Sequence, residues 1–89
     1  MELTYDHNKN LRNIAERKIA FNDAINFIWA TASIIEDTRK DYGERRFRAL
    51  GYIQERLHAL VFTPRGSAIH VISLRKANTR EIKHYESQA

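Results

Sequence analysis

No cysteine occurs in the 89 residues, proline and tryptophan occur once each, and glycine occurs three times. Without cysteine, disulfides and thiolate metal ligation are excluded, so the fold must be held by its core. With one proline and three glycines, few turns are forced, and Thr63-Pro64-Arg65-Gly66-Ser67 is the strongest turn signal. No apolar run approaches the roughly 20 residues of a membrane span, and the N-terminal residues lack a signal-peptide core. The expectation is a cytoplasmic protein with no membrane partner. Also missing are a glycine-rich phosphate loop, a nucleophile elbow, an HExxH motif and any carboxylate–histidine spacing suited to a metal, so neither metal nor cofactor is expected.

What is present is positive charge in one place. From Glu44 to Glu81 the chain carries eight Lys or Arg against three Glu, a surplus of +5 in a protein whose total is +4. A basic surface on a small rigid domain suits a polyanion or an acidic protein.

The length allows one domain, residues 1–89, with a single core. Asp6 is a plausible N-cap for a helix over 7–17, with Leu11, Ile14 and Ala15 at helical spacing. Asn8, Asn10 and Asn13 are weak helix formers, so this helix depends on packing. A second helix is expected over 22–30, where Phe21, Ala24, Ile25, Phe27, Ile28 and Trp29 form a broad apolar face. Ser33–Glu36 reads as a short strand and Asp37–Gly43 as a polar connection. Arg45–Ile53, Leu57–Thr63 and Ile69–Leu74 read as further strands, joined by turns at Gln54-Glu55-Arg56 and at Thr63–Ser67. Asn78-Thr79-Arg80-Glu81 has the form of a capping box and starts a last helix, with Ile82 and Tyr85 toward the sheet. The expected fold class is α+β: two N-terminal helices, a four-stranded mainly antiparallel sheet and a C-terminal helix, with the helices on one face.

Four cations stand out: Arg46, Arg65, Arg75 and Lys76. Arginine suits phosphate because its planar fork donates two parallel hydrogen bonds and stays charged. Adjacent strand residues point to opposite faces, so Arg45 and Arg46 do not share a site. The plainer alternative is that these are solvated strand-end charges that discourage edge pairing. His58 and His70 fall on neighbouring strands and have the pKa range of a general acid or base, although strand histidines are commonly packed or solvent-facing. His7 and His84 lie near helix ends. Glu44 and Glu81 are the carboxylates nearest the cations, and Tyr42, Tyr52 and Tyr85 offer rings for a base or hydroxyls for a phosphate.

Read together, these residues resemble the BrnT family, toxins of bacterial type II toxin–antitoxin pairs. Tyr5, Asp6, Lys9 and Asn13 follow its W-D-x-x-K-x-x-x-N pattern, and Phe21 and Ala24 its F-x-x-A. Tyr42, Gly43, Glu44, Arg46, Phe47, Leu50 and Gly51 follow Y-G-E-x-R-F-x-x-L-G. Thr63, Arg65, Gly66, Ile69, Ile72, Ser73, Arg75, Lys76 and Ala77 follow T-x-R-G-x-x-I-R-I-I-S-A-R-K-A, with Glu81 and Tyr85 beyond. The chain departs from the family at Glu16-Arg17-Lys18, where Lys-His-Gly is usual, at His70, where an arginine is usual, and at Tyr5, which replaces a tryptophan.

The resemblance implies a RelE-like fold and a metal-independent ribonuclease that inhibits translation. It also implies a BrnA-like ribbon-helix-helix antitoxin as partner, with DNA contacted only through the toxin–antitoxin complex. RNA would be the substrate: Arg46 and Arg75 clamp the phosphate, Glu44 or His70 acts as base, and Lys76, Arg65, Arg48 and Tyr42 bind the strand. Two other readings stay open: a catalytically weak homologue that serves mainly as antitoxin partner and operon corepressor, and a stand-alone nucleic-acid-binding module.

Overall fold

The N-terminus forms a strand rather than leading directly into a helix. A computed structural model describes residues 1–88. β1 (Glu2–Tyr5) is followed by α1 (His7–Arg17), β2 (Ser33–Glu36), β3 (Phe47–Ile53), β4 (Arg56–Arg65), β5 (Ala68–Lys76) and α2 (Thr79–Ser87). Two short 3₁₀ helices, Phe21–Asn26 and Trp29–Thr31, lie between α1 and β2. The strand order is β1-β5-β4-β3-β2. β1 runs parallel to β5, from Glu2 opposite Ala68 to Tyr5 opposite Val71, and the other pairs are antiparallel. The sheet therefore has five strands and is mixed, which corrects the expected four-stranded sheet. Glu2–Tyr5 escapes local reading because it is short and its partner strand lies at the other end of the chain.

α1 starts where expected. The Asp6 carboxylate accepts the Lys9 N–H at 2.9 Å, and the helix ends with Lys18 at φ 61°, its N–H donating to the Ile14 carbonyl at 2.9 Å. Its inward face is not the apolar one. Leu11 and Ile14 are exposed, while Asn10 and Asn13 are buried. Asn10 Oδ1 accepts the Phe21 N–H at 2.8 Å, and Asn13 Nδ2 donates to the carbonyls of Ile19 and Leu74, both at 2.9 Å. These buried amides satisfy backbone groups of the following segment and of β5, and so lock the helix in register.

The expected second helix is also corrected. Phe21, Ala24 and Phe27 are buried at a spacing of three, while Ile25 and Ile28 are exposed. Residues i and i+3 eclipse on a 3₁₀ helix, so one narrow edge of this segment enters the core. Phe27 then becomes extended and bridges to Ile53, and the Ile28 N–H donates to the Tyr52 carbonyl at 2.9 Å.

One sheet face carries the core. Ala49 and Ile53, Leu60 and Phe62, and Val71 and Leu74 pack against Ile19, Phe21, Ala24 and Phe27. Val71 and Leu74 share this face although three residues apart, because the pairing slips between Val61, opposite Ser73, and Phe62, opposite Val71. Ile72 is the extra residue of this β-bulge. α2 packs on the opposite face: the Tyr85 ring meets Tyr52 edge-on at 5.7 Å, and its hydroxyl donates to the Thr31 carbonyl at 2.7 Å. The helices thus cover both faces of the sheet, not one.

Candidate nucleic-acid interface

Strand alternation sends Arg48, Leu50 and Tyr52 away from the core, together with Ala59, Val61 and Thr63 of β4. On β5 the bulge changes the parity. Before it, His70 stands opposite Thr63; after it, Ser73 stands opposite Val61 and Arg75 opposite Ala59. His70 and Arg75 are five positions apart, which an unbroken strand would place on opposite faces, yet both lie on this outer face.

The stripe begins at Glu44. Its carboxylate lies 3.4 Å from Arg65 Nη2 and 3.7 Å from Arg46 Nε. The Arg46 guanidinium stacks on the Tyr42 ring at 4.1 Å, and the Tyr42 hydroxyl donates to Asp37 at 3.1 Å. Asp37 is buried and also accepts two hydrogen bonds from the Arg39 guanidinium, each 2.9 Å. The Arg39 bonds hold the Asp37 carboxyl far below the usual carboxylate range, against the opposing effect of burial. The Asp37 N–H donates to the Arg46 carbonyl at 2.7 Å. Asp37 thus orients both Arg39 and the tyrosine that carries Arg46. In the sequence Asp37 belongs to a polar connection, and its one legible signal is a carboxylate two residues from Arg39 and five from Tyr42.

At the middle of the stripe is Arg48. Among the described residues it forms no ion pair, and its Nε, like that of Arg46, is buried without a hydrogen-bond partner. The 3.7 Å separation from Glu44 leaves Arg46 Nε within ion-pair range but beyond a hydrogen bond. An unsatisfied buried donor costs about 1–3 kcal/mol. Two of them, on Arg46 just before β3 and on Arg48 within it, form a basic cradle at this end of the strand.

At the far end, Arg75 donates to both oxygens of Glu81, at 2.7 and 2.9 Å. Glu81 also closes the capping box of α2: its carboxylate accepts the Asn78 N–H at 2.9 Å, and the Asn78 side chain accepts the Glu81 N–H at 2.8 Å. The Arg75 hydrogen bonds lower the Glu81 pKa, and the nearby Arg48 charge adds to this. Arg46 immediately precedes β3 and lies four residues before Leu50, which shares a cross-strand row with Ala59 and Arg75. At about 3.3 Å per residue, Arg46 and Arg75 flank Arg48 from opposite ends of a stretch of roughly 13 Å.

His70 faces the Glu44 end. Its Nδ1 lies 2.8 Å from Thr4 Oγ1 on β1. Desolvation lowers its pKa, with the Arg65 charge acting in the same direction, so the imidazole is neutral at neutral pH. When its proton sits on Nδ1 and is donated to Thr4, the Nε2 lone pair is free.

Other sequence candidates go elsewhere. Lys76 pairs in register with His58 on the core-side face, where both line a separate recess with Asp23 and Gln54. His58 is buried and its Nδ1 donates to the Arg56 carbonyl at 2.8 Å. Arg45 turns from the stripe to Glu36, with bonds of 3.1 and 2.9 Å. Tyr42 carries Arg46 on its ring. Among the described residues, no group of three His, Cys, Asp or Glu side chains is placed to hold a metal, and no helix is long and apolar enough to cross a membrane.

The order of these residues, from Tyr5 through the stripe to Glu81, is that of one family. The model of the ribonuclease toxin BrnT, of type II toxin–antitoxin systems, matches residues 5–81. The chain belongs to the BrnT family. No curated protein matches it. Membership places this BrnT chain in a family of ribonuclease toxins that belong to type II toxin–antitoxin systems.

Proposed function

We propose that this BrnT protein is a metal-independent endoribonuclease that cleaves RNA on the outer face of its sheet, inhibits translation in the bacterial cytoplasm and is neutralised by a BrnA-like antitoxin. The observation that carries this reading is the pair of buried, unpartnered Nε donors of Arg46 and Arg48. Both side chains are partly exposed beyond Nε, and a phosphate at their open ends supplies the opposite charge.

In this mechanism the 2′-oxygen attacks the adjacent phosphorus and its proton passes to Nε2 of His70. The P–O5′ bond breaks, and the leaving oxygen takes a proton from water in the open groove. The products are a 2′,3′-cyclic phosphate and a 5′-hydroxyl. Arg46, Arg48 and Arg75 offset the charge that develops on the phosphoryl oxygens. Glu44 orients Arg46 and Arg65, and the arginines occupy the electrostatic role that a metal fills in other nucleases.

The test is cleavage of RNA by wild type and Arg48→Met in the presence of EDTA. Removing one preorganised donor of this kind lowers kcat by about 10²–10³. Thermal stability is expected to hold or rise, because an unsatisfied buried donor disappears. Activity lost on adding EDTA, or undiminished in Arg48→Met, would overturn the mechanism.

A second reading is favoured by the internal neutralisation of the cations: Arg75 is held by Glu81, and Arg46 and Arg65 by Glu44. In it the stripe mainly docks the antitoxin and the complex represses its operon. Growth arrest on expression without antitoxin, abolished by Arg48→Met, would dismiss it.

A further inference from the structure

Beside the phosphate cradle, a groove of about 500 Å³ runs between the outer face of the sheet and α2. Its volume lies within the about 300–1,000 Å³ range of small-ligand sites. Its floor is apolar, formed by Ile35, Leu50 and Val61, and its rim is cationic and aromatic, formed by Arg39, Arg80 and His84. Arg48 and Arg75 also line it, so it is continuous with the stripe. We propose that this groove is a nucleobase subsite, which seats a nucleotide of the RNA strand next to the phosphate held by Arg46 and Arg48. The proposal rests on the ribonuclease reading for the identity of the strand.

Three features favour a base over another occupant. Ile35 is 53% exposed and sits on the row of Arg48 and Val61, which leaves an apolar wall beside a guanidinium. That combination suits a flat ring attached to a phosphate. Arg39 is 65% exposed in its side chain, yet its guanidinium plane is set by two hydrogen bonds to buried Asp37. A fixed, exposed guanidinium plane is a stacking platform for an unpaired base, and the His84 imidazole offers a second. Arg80 adds a cation that, among the described residues, is in no ion pair, placed for the phosphate on the far side of that nucleotide. Base stacking combined with a basic track is how proteins hold single-stranded RNA.

The experiment measures binding of 2′-O-methyl RNA, whose blocked 2′-oxygen prevents cleavage, so the readout does not depend on catalysis. Fluorescence anisotropy compares dinucleotides with tetranucleotides of each homopolymeric sequence, for wild type and for Arg80→Ala/His84→Ala. Wild type is expected to bind at least one tetranucleotide about 10-fold tighter than its dinucleotide. The variant is expected to lose most of that gain while holding dinucleotides within twofold. Equal affinity of wild type for both lengths, or an undiminished gain in the variant, overturns the subsite even if RNA cleavage is intact. A poly-glutamate peptide that binds wild type in preference to every tetranucleotide, and loses affinity in the variant, assigns the groove to an acidic protein segment and also overturns it. Failure of the ribonuclease reading shows separately, as absence of cleavage of unmodified RNA.

Discussion

Gly51 stands where Phe27 crosses the sheet, and replacing it by alanine probes how tightly the 3₁₀ segment is seated. A Cβ built on Gly51 lies 2.5 Å from Phe27 Cζ, and 2.9 and 3.0 Å from its two Cε atoms. Carbon atoms prefer about 3.5–4.0 Å, so the ring must retreat by roughly 1 Å. It has little room to do so. Phe27 is 4% exposed, its ring meets Trp29 at 4.8 Å, its backbone bridges to Ile53, and the next residue, Ile28, is hydrogen-bonded to Tyr52. Overpacking of this kind costs about 1–3 kcal/mol. The loss of unfolded-state freedom on replacing glycine offsets about 0.4–1 kcal/mol. A net loss of about 1–2 kcal/mol corresponds to a Tm lowered by roughly 4–16 °C in a domain of this size. Thermal melts followed by circular dichroism, with urea midpoints as a second measure, give the value. Adding Phe27→Leu relieves the clash, so the double variant is expected to be more stable than the sum of the single changes by about 0.5–3 kcal/mol. A Gly51→Ala protein melting within about 2 °C of wild type, or strictly additive changes in the pair, would refute the tight seating.

Three other outcomes are expected. Lys18 occupies the left-handed region at φ 61° as the residue that caps the C-terminus of α1, so Lys18→Gly relieves about 1 kcal/mol of strain and raises the Tm by several degrees; an unchanged or lower Tm would count against this. Asn78→Ala removes half of the α2 capping box and costs about 1 kcal/mol in urea unfolding, whereas Asn78→Asp retains most of it. His70 has a folded pKa below its ordinary 6.5. Its neutral form is therefore available as base down to below pH 6.5, and kcat should rise with pH along an acid limb below that value. His70→Gln is expected to lose that limb. The same shift makes stability fall as pH drops from 6.5 through the folded value, because the unfolded chain binds the proton first.

Several features are legible in the residues alone. Asp6 and Asn78 mark the two α-helix starts because a side-chain oxygen next to free backbone N–H groups is a local device. The hairpin joining β4 and β5 follows from Gly66, at φ 60°, although its turn is only Gly66-Ser67 and Pro64 lies within β4, opposite Ile69. Family membership follows from ordered motifs that no single position carries. The helix expected over 22–30 fails because the buried residues there, Phe21, Ala24 and Phe27, recur every three positions. Apolar spacing does not give the inward face of α1, because its buried side chains are hydrogen-bonding asparagines and the apolar Leu11 and Ile14 face out. For the site, Arg46 and Arg75 were visible as cations, but Asp37 and Arg39 gain meaning only through contacts with Tyr42 and the groove.

The sequence by itself determined the helix starts, the strand-rich second half and the concentration of positive charge between Glu44 and Glu81. Those depend on neighbours a few residues away. Which arginines share a face was decided by the tertiary structure. Alternation within β3 sets Arg48 on the outer face, but the company of His70 and Arg75 depends on the bulge at Ile72, where the pairing of β5 with β4 slips by one residue. A single extra residue reverses the parity of all that follow, and its position is set by the packing of Val71 and Leu74 into one core.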